Sequence, residues 1–224
     1  MTSAAAVEAE FLQHARALGQ LVAAGYVEHQ DEICRGLKEM ARNDLALRYY
    51  LIAASANPNM RRLSGAQSFA VYADDVVMMR FNLWIPRAHR PNGVDTMYDK
   101  YFSIDVPHNH SYDFFTVGVI GPGYVSDFFE TSADLTDVVA GDTIDFEREW
   151  TDQLELGRTF FVPQQSVFHL QRYPESFSVS LNLIPHQPVV RGGKQLILAS
   201  DRRTVETVLY ATPQGPVAAE NEAA

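Results

Sequence analysis

Three histidines supply the residue types and spacing on which chemistry can be built. His108 and His110 stand one residue apart in VPHNHSYDFF, and His169 follows much later in FFVPQQSVFHLQ. In a strand, residues i and i+2 project from the same face, so His108 and His110 are expected to reach one point, with Tyr112 next on that side. Two imidazoles converging at about 2 Å from a cation suit zinc or a first-row transition metal. If the later strands close into a small barrel, His169 meets the pair across its interior. The competing reading is that these are core or surface histidines of a barrel without metal.

Weaker candidates surround the trio. Arg80, in MMRFNLW, can pair with a substrate carboxylate if it points into the barrel, because the guanidinium fork matches a carboxylate. Tyr112 can donate a hydrogen bond to bound oxygen or substrate. Gln164 and Gln165 can line the mouth or orient a ligand histidine. Asp113 would face away from the histidine pair on an unbroken strand, and Glu130 reaches a metal only if its hairpin bends. His14, His29, His89 and His186 lack a partner pattern.

The elements that must position these residues show in the hydrophobic period. Val7, Phe11, Ala15, Leu18 and Val22 recur at helical spacing until Gly25. Ile33, Leu37 and Met40 mark a second helix. A third runs from about Leu45 to Ser55, capped by Asn43 or Asp44 and stopped at Asn57-Pro58. From Ala66 the period becomes two. SFAVYADDVVMMRFNLWIP reads as two strands joined at Asp74-Asp75. Strands are expected over Tyr101–Val106 and Phe114–Ile120, and Tyr124–Glu130 should return from the Gly121-Pro122-Gly123 turn as a hairpin partner. TIDFEREW, QLEL, RTFFV, SVFHLQ, FSVSLNLI and KQLILAS follow at short intervals, the pattern of a sandwich or barrel. Pocket size depends on which of Phe81, Trp84, Phe115 and Phe168 point inward, and a one-residue slip inverts that list.

Composition bounds the function. The chain has 224 residues, of which 46% are hydrophobic, enough for one full core. A net charge of −10, with no basic stripe, excludes a nucleic-acid footprint. No apolar run reaches the roughly 18 residues of a membrane span, and MTSAAAVEAE lacks the basic region of a signal peptide. The single cysteine, Cys34, leaves no intramolecular disulfide and no thiolate cluster. The expectation is a soluble cytoplasmic protein: a helical segment over 1–62, a β-barrel over 63–212 and a disordered tail over 213–224. The helices would serve a homodimer or cover the barrel mouth.

PHNH, then GPG, then Gly157-x5-Pro163 followed by a histidine resembles the two-motif signature of the cupin superfamily, over roughly residues 66–190. The resemblance implies a mainly β, jelly-roll barrel. That signature usually adds a glutamate four or five positions after its second histidine, where this chain has Phe114 and Phe115. His169 also falls one place late, an offset that a bulge would absorb. Three histidines without a carboxylate, together with FNLWIP, FSIDVPHNH and HLQRYPESFSVSLNLIPHQP, resemble the thiol dioxygenases of the cysteine dioxygenase group. That family's histidine and tyrosine near the metal correspond to Asn182 and Ile184 in this chain, and Cys34 lies outside the barrel. The metal chemistry is thus expected to carry over and the cysteine substrate is not.

The implied centre is Fe(II) on His108, His110 and His169, with Zn, Ni, Mn or Cu as alternatives, since imidazole suits them all. Three neutral ligands leave up to three positions of an octahedral ion open for a small substrate and O2. They also leave the ion its full charge, which favours a carboxylate, thiolate or enolate. The competing functions are a metal-dependent lyase or isomerase and a non-catalytic small-molecule-binding module.

Overall fold

A computed structural model describes residues 3–42, 44–56, 67–89, 103–186, 193–212 and 215–218. Three helices come first, α1 (Ala4–Gly25), α2 (Gln30–Arg42) and α3 (Leu45–Ala56). The Ser3 hydroxyl caps α1 by accepting the Ala6 amide at 3.2 Å. Gly25, at φ 126°, ends α1 in a conformation that glycine adopts at little cost. Every helical position expected to face a core does so: Val7, Phe11, Ala15, Leu18 and Val22 in α1, and Ile33, Leu37 and Met40 in α2 are buried. Asn43 and Asn57-Pro58 lie outside the described residues.

Eleven strands follow among the described residues: β1 (Ser68–Ala73), β2 (Val77–Trp84), β3 (Phe114–Ile120), β4 (Val125–Glu130), β5 (Arg148–Gln153), β6 (Thr159–Val162), β7 (Val167–Gln171), β8 (Ser178–Pro185), β9 (Lys194–Leu198), β10 (Val205–Thr212) and β11 (Gly215–Ala218). One sheet has the order β1-β2-β8-β3-β6. Two three-stranded sheets, β5-β4-β7 and β11-β10-β9, are joined into a second layer by the segment around residues 104–108. There Ile104 bridges to Gln171, and His108 bridges to both His169 and Ile197. The strand pairs are antiparallel. The expected mainly β chain with a helical N-terminal segment is thus the fold observed.

Three local expectations need correction. The described part of the Tyr101–Val106 strand is a turn with a single bridge, because Ser103 and Asp105 sit at φ 52° and 54° and break the pleat. β3 and β4 are not a hairpin: β3 pairs with β6 and β8, and β4 with β5 and β7. Gly121 and Gly123, at φ 79° and 76°, carry the chain from one sheet to the other. Gly123 also packs so tightly on the Leu154 carbonyl that a Cβ there would lie 1.7 Å from its oxygen. Finally, the segment read as a disordered tail contains β11, which pairs with β10.

Alternation along the five-stranded sheet separates stability from chemistry. Val77, Met79 and Phe81 of β2, Phe115 and Val117 of β3, and Leu181 and Leu183 of β8 join one core with the helices. The helices therefore cover the outer face of this sheet. The opposite face carries Arg80, Phe114, Thr116 and Asn182 toward the second layer. Phe81 and Phe115 thus face the helices. Phe168 packs in a separate core with Phe129, Leu196 and Leu198, and Trp84 packs with Tyr124, Ile104 and Leu154. Among the described residues, no helix is long and apolar enough to cross a membrane.

Candidate metal centre

The histidine loop is held by backbone bonds. The His108 amide donates to the His169 carbonyl at 3.0 Å, and the His169 amide returns the bond to the His108 carbonyl at 2.8 Å. This reciprocal pairing sets a residue of the loop directly opposite one of β7. Asn109, between the two histidines, is fully buried. Its Nδ2 donates to the Gln165 carbonyl at 3.1 Å, and its Oδ1 accepts the Leu196 amide at 2.6 Å. The Gln165 amide donates to the His110 carbonyl at 2.9 Å. The loop need not be a strand, because these bonds aim its side chains instead. Gln164 and Gln165 therefore contribute through their backbones. Gln165, at φ 59°, turns the chain into β7, which begins at Val167.

The three imidazoles converge. Nε2 of His169 lies 3.0 Å from Nε2 of His110 and 3.2 Å from Nε2 of His108. Among the described residues, these three form the group able to hold an ion, with ligating atoms all within 4.8 Å of one another. His108 Nδ1 donates to the Val106 carbonyl at 2.8 Å, which fixes its proton there and leaves Nε2 as a bare lone pair facing the others. A single shared proton cannot satisfy three nitrogens around one point, whereas a cation can. Burial also holds the rings neutral. It pushes His108 down to about 4, and it pushes His110 and His169 well below the ordinary histidine range, helped by repulsion from His108 on both and from His169 and Arg80 on His110. Neutral, convergent imidazoles fit a first-row metal ion.

Arg80 and Tyr112 meet as well, for Arg80 Nη2 donates to the Tyr112 hydroxyl at 3.1 Å. The Tyr112 ring lies 4.9 Å from that of His110. Phe114 lies 5.0 Å from His110 and 5.9 Å from His169, so an aromatic wall stands where a carboxylate ligand was missing from the sequence. Asp113 turns away, accepting hydrogen bonds from the Tyr26 hydroxyl and the Gln164 amide. Glu130 lies 3.9 Å from Arg148 instead. His14 and His29 lie beside Glu39 and Glu32. Asn182 faces the interior and accepts from Thr116 at 2.8 Å.

Two residues were missed from the sequence. Asn109 looked like a spacer, and its role depends on strands far away in the chain. Gln171, whose carboxamide touches the His169 ring, could have been found by applying the i+2 rule to β7.

The depressed histidine values imply a pH dependence. Below about 6.5 the unfolded chain takes up protons that the folded chain refuses, so stability falls as pH drops. For His108 the loss runs from about 6.5 down to about 4 and amounts to roughly 3 kcal/mol. Urea midpoints should fall steadily across that window. A flat midpoint would show that the imidazoles are not held neutral.

Comparisons with known proteins give loose overlaps. No family model matches the chain, and no curated protein does. Among solved structures, a cupin domain from Bordetella pertussis Tohama I is 16% identical, covering 55% of this chain and 95% of that one, with a TM-score of 0.32. Hydroquinone 1,2-dioxygenase from Sphingomonas sp. TTNP3, with 4-hydroxybenzoate bound, is 10% identical over 56% of this chain and 69% of that one, at 0.35. A sugar phosphate isomerase from a cupin superfamily, from Silicibacter pomeroyi, is 9% identical over 76% and 87%, at 0.37. With TM-scores this low, the chemistry has to be read from the histidines themselves.

Proposed function

We propose that this chain is a mononuclear metal-dependent enzyme that uses Fe(II) on His108, His110 and His169 to oxidise a small carboxylate-bearing substrate with O2. The observation that carries the reading is the convergence of three buried, neutral imidazoles on one point, with no carboxylate in the group among the described residues. An ion bound there would supply a cationic centre with open positions for substrate and oxygen. Around it, Arg80 is placed to pair with the substrate carboxylate and Tyr112 to hydrogen-bond the substrate or oxygen, and the two already touch. Arg80 Nε is buried with no hydrogen-bond partner among the described residues, so it has capacity for a ligand. Phe114 and Phe128 line the ring side of the histidines and keep water from that flank.

The Arg80–Tyr112 bond also favours a second reading. A phenol held by a guanidinium is suited to proton transfer, as a metal-dependent lyase or isomerase would need. Elemental analysis of protein purified without added metal, followed by an oxygen-electrode screen of thiols, amino acids and small carboxylates, tests both readings. The oxygenase reading expects about one iron per chain and substrate-dependent oxygen uptake. In an Arg80→Met variant the KM for the carboxylate should rise roughly tenfold or more. Turnover under strict anaerobiosis would replace it with the lyase reading. Metal-free protein would sink both.

A further inference from the structure

On β7, Val167, His169 and Gln171 share the inward face. Gln171 is only 7% exposed. Its carboxamide nitrogen lies 3.1 Å from Nδ1 and 3.2 Å from Nε2 of His169. The two ring nitrogens point in diverging directions within the ring plane. An atom nearly equidistant from both therefore lies over the ring and lines up with neither. The carboxamide is stacked on the imidazole and does not select its tautomer. An amide nitrogen has no free lone pair to give an ion, but it carries two N–H donors. These donors stand as close to His169 Nε2 as the His108 nitrogen does. The carboxamide nitrogen thus stands over His169, beside the Nε2 that the other two imidazoles approach. Directly across on β4 is Ser126, 1% exposed, whose hydroxyl has no hydrogen-bond partner among the described residues.

Resting on the metal-centre reading, we infer that Gln171 donates a hydrogen bond to an anion occupying a coordination position that the three histidines leave open, with the Ser126 hydroxyl beside it. Gln171 then selects for ligands that present an electron-rich atom next to the metal-bound one, such as the second oxygen of a carboxylate. It acts on the ligand and leaves the metal to the imidazoles.

The test loads the protein with Co(II) and titrates it with azide, following the visible d–d absorption of the cobalt. Gln171→Met keeps the length of the side chain and removes both donors. The expected result is cobalt affinity within about twofold of wild type, with an azide dissociation constant raised tenfold or more, as for losing one hydrogen bond to an anion. Gln171→Glu, which sets a like charge beside the azide, should weaken it further. Ser126→Ala should weaken azide by a smaller factor. If Gln171→Met does not fold, the glutamate variant carries the same comparison. Unchanged azide binding in the folded variants overturns the inference. So does loss of cobalt from Gln171→Met, which would make the carboxamide a support for the ring. A wild-type protein that takes up no cobalt fails at the earlier step, the metal centre itself.

Discussion

Replacing His169 by alanine is expected to abolish stable metal retention while leaving the chain folded. His169 is the hub of the trio, with its Nε2 within 3.2 Å of both other Nε2 atoms. Its loss leaves two imidazoles of a single loop, and affinity for Zn(II) or Co(II) should fall by at least about a hundredfold, beyond what losing a supporting contact costs. The fold should persist, because β7 keeps its backbone pairing with β4. Elemental analysis and competition against a chelator measure the effect, and His186→Ala serves as a control outside the cluster. Stoichiometric metal in the His169→Ala protein would refute the centre. Any substrate-dependent oxygen uptake should vanish with the metal.

The second large effect lies one residue from the site. Phe115 is fully buried between the five-stranded sheet and the helices, with its ring 4.7 Å from Phe161 and 6.4 Å from Tyr26. Phe115→Ala should cost about 3–5 kcal/mol, the range for deleting a buried phenyl from a core that relaxes only in part. Urea unfolding would register the loss as a lower midpoint. Metal affinity of the folded fraction should stay near wild type, since this side chain faces away from the imidazoles. The neighbouring Phe114→Ala opens its space on the other face, against His110 and His169, and should disturb metal binding as well. Identical behaviour of the two variants would contradict the register of β3, which sends their side chains to opposite faces.

Much of this arrangement could be read from the residues. Period explains why. The helical stripe of Val7 through Val22 and the alternation in SFAVYA and FNLW each need only local spacing, and both helix and strand positions follow from it. The histidine trio was also legible, since an i, i+2 pair and a later histidine preceded by glycine and proline mark turns that bring strands together. What could not be read was whatever depends on non-local geometry. Ser103 and Asp105 carry no mark of their left-handed backbone. Gly121-Pro122-Gly123 signals a turn, but not whether the chain comes back along the same sheet or crosses to the next. The crossing brings Gly123 against the Leu154 carbonyl, a contact with a residue that local sequence does not reveal. Asp113 and Glu130 were left open because a carboxylate's direction depends on partners, Tyr26 and Arg148 in this fold, that lie elsewhere in the chain.

The stitching of Asn109 has a further consequence. The bonds that shape the ligand loop run through its main chain, the Asn109 amide and the Val106 carbonyl, and none of them uses a nitrogen meant for the ion. These bonds hold the loop without help from an ion, so an ion bound by the three imidazoles should be able to leave and be replaced without the chain unfolding. Discrimination among iron, zinc, nickel and copper then falls to the intrinsic affinity series and to whichever ion the surroundings provide. Swapping ions in the purified protein should then be a matter of simple exchange, with no unfolding step.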